Sequence, residues 1–248
     1  MLTKIQKQVL DGAMLGDGNL SYRYGNAALR YVSSIENHVK LIKNYFINYT
    51  SLKSFSFETR IHPKTNNSYT SYKLRTKQHE DFTKEYYRWY GLNNHKEIPN
   101  DLILTPLNCL IWYIGDGTLA TGPNGSQELK LCTNNFDKDH LELIILPQLR
   151  EFEARIRHIN KKQYHIVIPH KNIKKFLNYI GTCPIEEYNY KWNYREYKNK
   201  MSFRDYKQYE KPIILLYKTG LTYYKVAKYF NMEPSLVRYY LKKNGIIQ

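Results

Sequence analysis

The chain has 248 residues, 42% of them hydrophobic, which is enough to bury the core of one large domain or two smaller ones. Lys and Arg number 38 against 22 Asp and Glu, giving a formal net charge of +16, and these cations are interleaved with 25 Tyr, so nucleic acid leads the list of partners. Three cysteines (Cys109, Cys132, Cys183) without a Cys-x-x-Cys pair argue against structural zinc, the eight His lack metal-ligand spacing, and no apolar run approaches the roughly 18 residues of a membrane span.

An apolar helical run, VLDGAMLGDGNL at 9–20, stops at Gly-Asp-Gly. Strand patterns follow in NLSYRY (19–24) and AALRYVSS (27–34), then a helix in NHVKLIKNYFINY (37–49). Two more strands, SFSFETRIH (54–62) and SYTSYKLRT (68–76), flank the turn PKTNN, and a helix in HEDFTKEYYRWYGL (79–92) closes the unit. The order then recurs. A second apolar helix, CLIWYIGDGTLA at 109–120, also stops at Gly-Asp-Gly and leads into TLATG, a PNG turn (123–125) and QELKLCT. The helix pattern DKDHLELIILPQLREF (137–152), the strands ARIRHIN and QYHIVIP, and the helix HKNIKKFLNYIG (170–181) complete it.

The chain therefore reads as αββαββα twice, an α+β fold of two half-domains related by a pseudo-twofold axis, over 1–100 and 101–195. An isolated lysine follows the last helix of each copy: Lys96 stands 79 residues after Asp17, and Lys191 stands 75 after Asp116. From Arg195 the pattern changes to a charged linker (196–210) and then to three short helices over 211–248. Thr222 can cap the second of these, Pro234 can open the third, and Gly220 and Gly245 can close the first and third. Val226, Ala227, Phe230, Val237 and Leu241 would be their core, in the spacing of a helix-turn-helix.

A carboxylate at a helix C-terminus adds to the negative end of the helix dipole, which is unfavourable until a cation arrives. Two such ends brought together by a twofold axis make a site of carboxylates and exposed carbonyls, hard ligands suited to Mg²⁺. The small residues Gly12, Ala13 and Gly16 would let the two helices approach closely.

On these paired motifs, Leu10 to Gly18 (LDGAMLGDG) and Cys109 to Gly117 (CLIWYIGDG), the sequence resembles the LAGLIDADG homing endonucleases of the single-chain, two-motif type. The segments RTKQHEDF, KEIPNDLILTPLNCLIWYIGDG and LKLCTNNFDKDHLELIILPQLREF extend the likeness over roughly residues 5 to 195. Ile111 departs from it, standing where the motif has its first glycine. The resemblance implies that Asp17 and Asp116 hold the metals, with the carbonyls of Gly16 and Gly115 as neighbours, and that Lys96 and Lys191 act near the scissile phosphates. It also implies a monomer that makes double-strand breaks in double-stranded DNA. Mg²⁺ would be the cofactor, Mn²⁺ a substitute, and Ca²⁺ a support for binding without efficient cutting.

Saddle-like sheets would read the major groove through Tyr22, Arg23, Arg30, Lys73, Arg75 and Lys130, and the last helix would reach DNA through Ser235, Arg238 and Tyr239. Two other functions compete: an RNA maturase acting on its host intron, and a transcription regulator in which the tail sets function. Retention of both carboxylates and both lysines favours the nuclease. The expected compartment is intracellular, cytoplasm or nucleoid, with an organelle matrix as the alternative.

Overall fold

The computed structural model describes residues 1–91, 94–122, 125–160, 163–195 and 205–247, which fall into two compact units, Met1–Arg195 and Glu196–Gln248. In the first, helix α1 (Lys4–Leu15) leads to strands β1 (Asn19–Arg23) and β2 (Asn26–Ser33), α2 (Glu36–Tyr45), β3 (Phe55–Ile61), β4 (Ser68–Arg75) and α3 (Glu80–Tyr90). The second half repeats the order with α4 (Pro106–Asp116), β5 (Gly117–Thr121), β6 (Gln127–Cys132), α5 (Lys138–His140), β7 (Arg155–Asn160), β8 (Gln163–Ile168) and α6 (His170–Ile180). Each half has one antiparallel sheet, of order β1-β2-β4-β3 or β5-β6-β8-β7. The αββαββα duplication and the α+β fold class are thus both present. Residues 123–124 of the PNG turn and 196–204 of the expected linker lie outside the described residues.

The two motif helices begin alike. Thr3 and Gln6 exchange hydrogen bonds in a capping box at the start of α1, and Thr105 and Asn108 do the same at α4, where Pro106 fills the first helical position. Each cap satisfies two of the backbone donors at its helix start, and Pro106 removes a third at α4. Inside, Val9, Leu10, Ala13 and Met14 of α1 and Ile111, Trp112 and Ile114 of α4 are buried in one shared core. Gly12 faces α4 so closely that an added Cβ would lie 2.5 Å from the Asn108 carbonyl and 2.8 Å from the Cβ of Ile111. The pairing is therefore asymmetric by residue: the glycine of the first motif makes the space that the second motif's isoleucine fills.

Beneath this pair a buried ion network ties α1 to α3. Arg88 holds Asp11 (2.6 Å) and Glu85 (2.9 Å), and the Trp89 indole also donates to Asp11 at 3.2 Å. Arg88 and Asp11 are only 13% and 6% exposed, so removing Arg88 would leave the Asp11 carboxylate buried without its ion partner, which costs about 3–5 kcal/mol.

One element departs from expectation. The helix expected over 137–152 is instead a turn of α-helix (α5), a π-helical turn at Leu141–Ile145 and a 3₁₀ stretch at Leu146–Phe152. Pro147 is the cause, since it has no N–H to bond the carbonyl four residues back and its ring crowds that carbonyl, so the hydrogen-bond spacing shifts on either side of it.

The second unit has α7 (Glu210–Lys218), α8 (Tyr223–Tyr229) and α9 (Pro234–Lys243). Ile213, Val226, Ala227, Val237 and Leu241 are buried in its small core, and Phe230 packs against it half-buried. The Thr222 side chain accepts from the Lys225 amide, while Gly220 (φ +91°) and Gly245 (φ +65°) turn the chain in the left-handed region after α7 and α9.

Candidate active site

Asp17 follows the end of α1 and Asp116 ends α4, and the two tips meet. A Cβ added to Gly16 would sit 3.6 Å from an Asp116 carboxylate oxygen, and one added to Gly115 would sit 3.9 Å from an Asp17 carboxylate oxygen. Each carboxylate therefore lies over the other motif's glycine.

The lysines found by repeat spacing both reach this place. Lys96 Nζ donates to the carbonyls of Gly16 (3.1 Å) and Gly18 (2.9 Å). Lys191, carried on a 3₁₀ turn at Glu186–Trp192, donates to the carbonyl of Ile114 at 2.6 Å, with Tyr113 and Gly115 carbonyls at 3.4 and 3.5 Å. The Tyr113 hydroxyl in return donates to the Lys191 carbonyl at 2.7 Å. Each ammonium thus caps the C-terminus of its own half's motif helix, opposing the negative end of the dipole beside the carboxylate. The carbonyls of Gly16 and Gly115, expected as metal neighbours, already accept from these lysines.

Desolvation dominates the electrostatics. It pushes Asp116 up to about 6, helped by Asp17 and opposed by Lys96 and Lys191, and it raises Asp17 above the ordinary carboxylate range against the pull of both lysines. Desolvation likewise lowers Lys96 and Lys191 to about 8, against the pull of the two aspartates. Both lysines still carry charge at neutral pH. Asp17 is exposed and Asp116 half-buried, so the carboxylates open toward solvent on one side.

The donor set fits a hard cation. Mg²⁺ is commonly bound by one or two carboxylates, with water and substrate phosphate completing its shell, and two neighbouring carboxylates whose charge is disfavoured supply that need. No cluster of three or more His, Cys, Asp or Glu groups suited to an ion occurs among the described residues; Asp17 and Asp116 are a pair, which would leave most of a cation's shell to water and phosphate.

The remaining candidates divide by sheet face. Register and strand alternation place Arg23, Arg30, Lys73 and Arg75 on the face of the first sheet turned away from the core, with Arg30 directly opposite Arg75. Lys130 takes the same kind of position in the second sheet. Tyr22 does not join them: it shares the face of buried Leu20 and packs its ring 5.3 Å from Tyr86 and 5.9 Å from Tyr87 of α3. Period-2 alternation from Arg23 would have shown this. The open faces also carry Arg60, Arg155 and Arg157, together with Glu58, paired with Arg60 and Lys73, and Glu128, paired with Lys130 and Arg157. In the second unit Ser235, Arg238 and Tyr239 are all exposed on α9, while Leu236, Val237, Tyr240 and Leu241 face its core.

Paired carboxylates at the meeting tips of two duplicated helices, each backed by a lysine, define a pseudo-symmetric site flanked by two basic sheets. The chain belongs to the LAGLIDADG DNA endonuclease family, whose sequence model matches residues 7–176. An uncharacterized protein of Methanocaldococcus jannaschii is 32% identical over 111 residues, which is 44% of this chain and 43% of that relative, so the match spans less than half of the relative's length. The fold is that of the homing endonuclease I-WcaI, solved bound to its DNA recognition sequence, with a TM-score of 0.66 and 23% identity over 79% of this chain and 88% of that one.

Proposed function

We propose that this chain is a site-specific homing endonuclease that hydrolyses both strands of double-stranded DNA as a monomer inside the cell, with Mg²⁺ as cofactor. Mn²⁺ would substitute, and Ca²⁺ would support binding with little cutting. The observation that carries this reading is the crossing of Asp17 and Asp116 over each other's glycines at the tips of α1 and α4.

Asp17 and Asp116, one carboxylate for each strand, would hold Mg²⁺, which would supply the positive charge that makes water nucleophilic and neutralises the departing 3′ oxygen. Lys96 and Lys191, fixed on the helix-end carbonyls, remain charged at neutral pH and offset the charge that builds on each phosphate. Arg23, Arg30, Lys73, Arg75 and Lys130 contact the major groove or its phosphates from the open sheet faces, and Ser235, Arg238 and Tyr239 contact DNA from a helix-turn-helix tail.

Incubating the chain with a randomised duplex library and Mg²⁺, then sequencing the ends, should recover one family of sites cut with short 3′ overhangs; ends scattered without a common sequence would defeat the reading. On that site, Lys96→Met and Lys191→Met should each slow cutting by roughly 10²–10³-fold, the scale of removing one preorganised charge partner, and accumulate nicked plasmid. Double-strand cutting at the wild-type rate by both variants would remove the lysines from the site. Binding in Ca²⁺ should also fall steeply with salt, by about 10³-fold or more between 50 and 200 mM if six or more of the sheet cations meet phosphate. A flat response in a filter-binding titration would point away from a polyanion.

A further inference from the structure

The two lysines have different neighbours. Lys191 sits with its ammonium 4.6 Å from the centre of the Tyr188 ring, and the hydroxyl of that ring lies 3.1 Å from Nδ1 of His38. The other ring nitrogen of His38, Nε2, lies 2.9 Å from the Tyr31 hydroxyl. His38 and Tyr31 are each 1% exposed, and this chain of three rings joins α2 and β2 of the first half to the 3₁₀ turn of the second. Its far end reaches the reacting tips: a Cβ added to Gly115 would meet the Tyr31 hydroxyl at 3.3 Å, Asp17 at 3.9 Å and His38 Cε1 at 4.0 Å. Lys96 instead has the Phe136 ring beside it, 5.7 Å from its ammonium, a ring that can make no such bond. The duplication is therefore broken where the chemistry would occur.

We infer that the Tyr31–His38–Tyr188 chain positions Lys191 and so sets the cutting rate of one DNA strand separately from the other, an inference that rests on the endonuclease reading above. The geometry supports it directly. One hydroxyl must accept from the protonated ring nitrogen and the other must donate to the bare one, so the hydrogen-bonded order runs in one direction through the histidine. Burial and nearby Lys191 hold the His38 pKa down at about 4, which keeps the ring neutral and able both to donate and to accept. Tyr188, held at its hydroxyl, then fixes its ring against the Lys191 ammonium, a contact of the cation–π type. These three are positioning residues; none is argued to touch the phosphate.

The test is strand-resolved cutting of a supercoiled plasmid that carries the site recovered from the duplex library, with Mg²⁺, by the full chain. Tyr188→Phe, Tyr31→Phe and His38→Asn should slow the same strand that Lys191→Met slows, by about 10- to 100-fold, the scale of a small misplacement of a reacting group. Nicked circles should accumulate while the opposite strand, the one slowed by Lys96→Met, is cut at close to the wild-type rate. Each Tyr→Phe change deletes one oxygen and keeps the ring. In the free chain, the ¹⁵N spectrum of His38 should show a single neutral tautomer, and either Tyr→Phe change should mix the two. Equal slowing of both strands, including slowing through unfolding, or an unchanged strand ratio overturns the inference while leaving the nuclease reading intact. A wild-type chain that cuts neither strand overturns both.

Discussion

Asp116→Asn should leave the protein unable to cut DNA and yet make it harder to melt. The loss of cutting, at least on the order of 10³-fold, follows on the proposed function from removing one of the two carboxylates that would hold a cation beside phosphate. The gain in stability follows from the cost of that same charge. Asp116 has a folded pKa of about 6 against an ordinary 3.8, so the fold prefers its neutral form. Its favourable contribution is complete below about pH 4 and is lost as the pH rises through 6. At pH 7 the ionised carboxylate therefore works against folding, and an uncharged isostere relieves the strain by on the order of 1 kcal/mol, once the water on its open side is allowed for. Thermal melting without divalent ions should show the variant above wild type at pH 7 and level with it near pH 4. Added Mg²⁺ should then raise the melting temperature of the wild type more than that of the variant, because binding to the folded state alone stabilises it. Asp17→Asn should abolish cutting in the same way. Normal cleavage by either variant would remove the carboxylates from the chemistry, and a less stable Asp116→Asn would mean that this charge is already well compensated.

The duplicated order of elements was legible because it depends on local signals: the apolar period, the turn residues between strands, and the Gly-Asp-Gly endings. Lys96 and Lys191 were legible as well, since similar spacing from the two motifs, 79 and 75 residues, puts them at equivalent points of a repeated fold, where each reaches the end of its own motif helix. What a local reading misses is set by partners distant in sequence. Tyr22 looks like a groove reader beside Arg23, but strand alternation gives these neighbours opposite faces, and α3 supplies the aromatic surface that takes Tyr22. His38 lies 150 residues from Tyr188, and no spacing rule links them. The irregular helix around Pro147 was signalled by the proline itself, yet an apolar periodicity that continues across it concealed the change of hydrogen-bond spacing.

Gly12→Ala, a change of one methyl group, should damage both stability and cutting. The new Cβ would stand 2.5 Å from the backbone carbonyl of Asn108 and 3.0 Å from its Cα, well inside contact distance, and 2.8 Å from the Cβ of Ile111. A flexible side-chain end could swing aside, but a helix backbone cannot, so α1 and α4 must separate along their shared core. Overpacking of this kind costs about 1–3 kcal/mol and at times more. For a domain of this size each kcal/mol lowers the melting temperature by about 2–4 °C, so a drop of roughly 2–12 °C is expected. Cutting should suffer beyond what the stability loss explains. The same two helices carry Asp17 and Asp116 at their tips, and a shift near 1 Å between reacting groups costs about 10²-fold in rate. The comparison that separates the two effects is cleavage measured 20 °C or so below the variant's own melting point, where the folded population is complete. Ile111→Gly in the same chain would remove one of the two obstructions and leave the Asn108 carbonyl in place, so it should restore little. A Gly12→Ala protein with wild-type melting and cutting would show that the two motif helices have room to spare, and that the contact between their tips is not set by how closely their backbones pass.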